Sequence, residues 1–131
     1  MNKKVLFSTL WIFVTVNYIF CDVFTLFHSE SLKQLMTGEM DGMKINQSFL
    51  LSFSILMEMP MVMIVLSRIL SYKSNRLANI IVALIMTLVQ AATLFTDDNT
   101  LHYIFFSIIE VGTTSFILYS AWHWVESKNI D

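Results

Sequence analysis

Four long apolar stretches constrain this chain more than any other feature. They run over about 5–27, 48–70, 77–96 and 103–125. At about 1.5 Å per residue, roughly 20 residues cross a hydrocarbon core ~30 Å thick. No water is present there to satisfy backbone N–H and C=O groups, so only helices and closed barrels span it. The stretches are continuous rather than alternating, which selects helices. The predicted fold is all-α: an integral membrane four-helix bundle in a single transmembrane domain, residues 1–131. Composition agrees, because only 14% of residues are charged, against roughly 25% in soluble domains.

Lys and Arg set the expected orientation. Lys3, Lys4, Arg68, Lys73, Arg76 and Lys128 fall at the two ends of the chain and between the second and third spans. Only Lys33 and Lys44 fall in the other connections. Both termini are therefore expected in the cytoplasm, and the protein in a bacterial cytoplasmic membrane. Lys3 and Lys4 before an apolar run look like the start of a signal peptide. The run extends to Phe27 without a small-x-small cleavage pattern, so it reads as a retained first span. In the outer loop, 28–47, Leu32, Leu35, Met36, Met40 and Met43 recur at helical spacing, interrupted by Gly38 and Gly42. That predicts a short helix on the membrane surface.

Three carboxylic acids interrupt the apolar spans: Asp22, Glu58 and Glu110. One charge at the bilayer centre costs roughly 2.5–3.5 kcal/mol on insertion scales, and such residues usually face the bundle interior and mark ion or ligand sites. With the third span's Gln90, all four helices carry a polar side chain to the outer half of the membrane. Asn17 and Ser54 are expected as supporting groups. Ser107, Glu110 and Thr114 share one helix face, as do Ser54 and Glu58, and Thr87 and Gln90. Pro60 removes the donor to the Leu56 carbonyl, so a kink is expected near Glu58. The expected ligand-binding set is Asp22, Glu58, Glu110, Gln90, Asn17 and Ser54, with Glu58 central.

Several functional classes find little support. The net charge of −2 gives no reason to expect nucleic acid. The lone Cys21 cannot form an intramolecular disulfide. No GxSxG, CxxC, HExxH or phosphate-binding glycine loop is present, so no catalytic residue is assigned. An intramembrane acid–base enzyme using two carboxyls is the weakest reading. An outer metal site can be drawn from His28, His102, Asp97 and Asp98, but without ligand spacing. The methionines invite copper, yet Met57, Met59, Met61 and Met63 alternate in position and line no single helix face. No cofactor and no metal is assigned.

Met57-Glu58-Met59-Pro60, Leu66-Ser67-Arg68 and Asn75-Arg76-Leu77-Ala78-Asn79-Ile80, with Glu110 and Tyr119-x-Ala121-Trp122-x-Trp124, carry a resemblance. The chain resembles a bacterial family of small four-span membrane proteins catalogued as a domain of unknown function. The resemblance implies a four-helix membrane fold in bacteria and supplies no activity, cofactor or partner.

The leading expectation is binding, and proton-coupled movement, of a small cation or amphiphilic amine through buried carboxylates in the lipid bilayer. The protein would act as a homodimer or with a larger membrane partner. The alternative is a structural or accessory subunit whose acids are interhelical hydrogen-bond glue, with the basic Arg68–Arg76 loop docking a partner or anionic lipid.

Overall fold

The computed structural model describes residues 2–40, 42–96 and 99–127. Lys128, Asp97 and Asp98 lie outside the described residues, and with them one charge of the orientation argument and two groups of the drawn metal site. Four helices are long and apolar enough to cross a membrane: α1 (Lys3–Phe27), α3 (Gln47–Ile69), α4 (Tyr72–Leu94) and α5 (Leu101–Trp122). The short α2 (Ser29–Met36) and a two-stranded hairpin, β1 (Glu39–Met40) and β2 (Met43–Lys44), connect α1 to α3. Successive long helices run antiparallel. One end of the bundle therefore holds the start of α1, the end of α5 and the α3–α4 junction; the other holds the hairpin.

Helix starts follow capping chemistry. Asn2, Asn46 and Thr100 each accept a hydrogen bond from a first-turn backbone N–H. The third span differs from its expected start at Leu77. Helix α4 begins at Tyr72, with only Leu70 and Ser71 between it and the end of α3. What reads as a basic loop is thus mostly helix end. The outer loop also differs. Its helix stops at Met36, because Gly38 and Gly42 adopt φ of +80°, where a helix cannot continue. Met40 and Met43 instead face each other across the hairpin. Pro60 lies within α3, which continues through it as one helix.

Helix α1 is central, packed against both α3 and α5, while α4 packs on α5 and more lightly on α3. Its inward stripe, Phe7, Trp11, Val14, Tyr18 and Cys21, recurs every three or four residues and is buried. Met63, Ala83, Met86, Ile117 and Ala121 complete the core. Outward faces are apolar, including Phe13, Ile19 and Phe20 on α1 and Leu77, Ile81 and Leu88 on α4. Apolar residues exposed in this number suit lipid.

The end that holds the α3–α4 junction is fastened by polar groups. Trp11 Nε1 donates to Asn79 Oδ1 (2.7 Å), and Asn79 Nδ2 donates to Asn75 Oδ1 (2.7 Å) and to the Asn75 carbonyl (2.9 Å). Asn75 Nδ2 donates to the Ser67 carbonyl (2.7 Å), and Ser8 Oγ to that of Ile64 (2.8 Å). Arg76 Nε and Nη2 donate to the carbonyls of Ala121 (3.0 Å) and Trp122 (2.8 Å), which closes the C-terminal end of α5. Arg76 therefore serves its own chain. Trp124 folds back edge-on to Phe7 and Tyr72, and its carbonyl accepts from Tyr72 Oη (2.7 Å).

Isolated hydrogen bonds in membranes average only ~0.6 kcal/mol. Asn79→Ala would orphan several buried groups at once, so its expected cost is about 1–3 kcal/mol. Unfolding of the purified protein in mixed micelles measures it. A cost no larger than that of Ser54→Ala, on the exposed side of α3, would show the network to be slack.

Candidate functional site

The three acids have three different surroundings. Glu110 is 1% exposed, on the buried face of α5 with Ser107 and Thr114. Asp22 is exposed near the hairpin end of α1, close enough to Glu110 for their charges to interact. Glu58 is exposed, halfway along α3, in a groove between α3 and α4. The structure brings Asp22 and Glu110 together and sets Glu58 apart.

The supporting residues divide as well. Gln90 Nε2 donates to Ser107 Oγ (2.7 Å), tying α4 to α5. Thr87 Oγ1 donates to Thr114 Oγ1 (2.7 Å) on the same seam, and Tyr103 Oη to Thr93 Oγ1 (2.6 Å). Asn17 and Ser54 turn to their own helices, donating to the carbonyls of Phe13 (2.9 Å) and Leu50 (2.7 Å). Pro60 is buried while Glu58 is exposed. Residues two apart on a helix point to nearly opposite sides. The acceptor freed at Leu56 thus lies on the core side, away from the Glu58 carboxyl.

Against these satisfied groups, three buried oxygens among the described residues have no hydrogen-bond partner: Glu110 Oε1, Tyr18 Oη and Thr15 Oγ1. Tyr18 lies close enough to Glu110 to feel its charge, as do Cys21 and Tyr103. Thr15 is one turn from Tyr18 on α1. An unpartnered polar group in an apolar interior costs free energy. An unsatisfied carboxyl oxygen with the Tyr18 hydroxyl within reach of its charge therefore makes a receptive place for a proton, a water or a hard cation.

Toward the hairpin end α1 and α5 make further contacts. Phe24 of α1 stacks on Phe106 of α5 with centroids 6.0 Å apart. Thr25 Oγ1 lies 3.2 Å from His102 Nε2. His102 also contacts Thr100, and His28 caps α2 through Ser31. No group of three or more His, Cys, Asp or Glu among the described residues is arranged to hold a metal ion. Cys21 is buried beside the Glu110 region.

Residue spacing singled out the acids but missed Tyr18 and Thr15. Tyr18 was detectable as a member of α1's inward stripe; its hydroxyl then needs a partner at that depth. Asn75 and Asn79, one turn apart at the start of α4, were a second overlooked signal for a buried polar face.

Four apolar helices with lipid-suited outer faces and a buried acid define a membrane-embedded helical bundle. The chain belongs to the Family of unknown function (DUF6326), which matches residues 1–130. Searches of curated proteins and of solved structures returned no match.

If Glu110 is held in the fold at a cost, removing its polarity should stabilise the empty protein. Glu110→Met, of similar volume, is expected to raise stability by about 1–3 kcal/mol in the absence of ligand. Chemical unfolding in detergent reads this, and a destabilisation of similar size would instead mark Glu110 as structural.

Proposed function

We propose that this protein binds a small hard cation inside the membrane, with the Glu110 carboxylate as its counter-charge. The observation that carries the reading is the fully buried Glu110, whose Oε1 has no partner. Tyr18 Oη supplies a second oxygen ligand, and Asp22 at the exposed rim attracts the cation toward the interior. The central role expected for Glu58 passes to Glu110. A carboxyl can hold a proton or a cation, and exchange of one for the other is the elementary step of proton-coupled movement. A four-helix interior is narrow, so passage across a bacterial cytoplasmic membrane would need a second copy or a partner. The accessory reading has weaker support, because the interhelical bonds run through Gln90, Ser107, Thr87 and Thr114 rather than through the acids.

Thermal unfolding of the detergent-purified protein against alkali and alkaline-earth cations tests this. A ligand at about 100 times its Kd stabilises by ~2.7 kcal/mol. One ion class should raise Tm in the native protein, less so as the pH is lowered and protons compete for the carboxylate. Glu110→Gln should abolish the shift and Asp22→Asn weaken it. A flat response, or one that survives Glu110→Gln, would favour the accessory reading.

A further inference from the structure

Glu58 occupies a place the interior site does not explain. Helices α3 and α4 meet at their junction through Ser67, Asn75 and Asn79. Beyond it they leave a groove of about 360 Å³, lined on α3 by Ile55, Glu58, Met59, Val62, Met63 and Leu66 and completed on α4 by Ala78 and Val82. Small-molecule sites typically span about 300–1,000 Å³ and are apolar with a few placed polar groups. Glu58 is the one polar residue among those that line it, and the groove opens sideways, where an apolar compound dissolved in the bilayer would meet it.

We propose that the α3–α4 groove binds an amphiphilic amine, its ammonium paired with Glu58 and its hydrocarbon body along Met59, Val62 and Leu66. Charge complementarity selects this occupant. A lone carboxylate in apolar surroundings is costly, and a cation beside it offsets that cost. A second copy seated symmetrically would set Glu58 against its own counterpart, two like charges face to face. A phospholipid headgroup stays at the membrane surface, whereas Glu58 sits midway along the 23-residue α3. The groove stands apart from Glu110, so this proposal holds or fails separately from the interior cation site.

The test uses the full chain in phosphatidylcholine nanodiscs with radiolabelled dodecylamine, and empty nanodiscs to subtract partition into lipid. Saturable binding is expected, with dodecanol failing to compete. Glu58→Gln should weaken it by about tenfold or more, equivalent to ~1.4 kcal/mol. Ile55→Trp should obstruct the groove from an already exposed position. Glu110→Gln should leave it intact, whatever it does to the alkali-cation response. Equal binding by native protein and Glu58→Gln would overturn the proposal, as would equal competition by dodecanol. Spontaneous disulfide-linked dimers of Val62→Cys would overturn it too, by showing a second copy in the groove.

Discussion

In a bilayer core there is no water to rescue an unpaired polar group, and this constraint organises the whole molecule. It explains why Asn75, Asn79, Ser67 and Trp11 are knitted into one buried network. It also explains why Arg76 reaches the last carbonyls of α5 rather than solvent. Lipid tails are as apolar as leucine, so burial alone gives helices no reason to associate. Polar contacts and close packing around α1 must supply it. Among the described residues, Glu110 Oε1, Tyr18 Oη and Thr15 Oγ1 are the buried side-chain oxygens left without a hydrogen-bond partner.

The same constraint separates the three acids. Asp22, at the exposed rim, can be hydrated and act at a distance. Glu110, enclosed by α1 and α5, must be neutralised where it stands. Glu58 faces the membrane from an apolar groove. The three carboxyls thus acquire different chemistry from what surrounds them, and one convergent site gives way to an interior site and a lateral one.

Much of the fold was legible because the span signal is strong. Twenty apolar residues without alternation leave few options, and the helices α1, α3 and α5 begin within two residues of the apolar runs at Val5, Ser48 and Tyr103. Helix α4 begins ahead of the apolar run at Leu77, because hydropathy cannot see a helix end that is polar and yet buried. Tyr72, Asn75 and Arg76 lower the apolar average while making the contacts that hold that end together. The short surface helix is present as α2, and it ends before the glycines that interrupt the helical spacing, Gly38 and Gly42. The site was legible only in its residue types. Which face each acid presents depends on rotations between helices, and no single-helix periodicity contains them. Glu58 and Glu110 looked alike in sequence for that reason.

The most direct measurement is the cation stoichiometry of the purified protein, by equilibrium dialysis with the ion class that stabilises it, for native chain and Glu110→Gln side by side. The account predicts one cation per native chain and none in the variant. Equal binding by the two proteins would contradict it, as would no bound cation in the native chain.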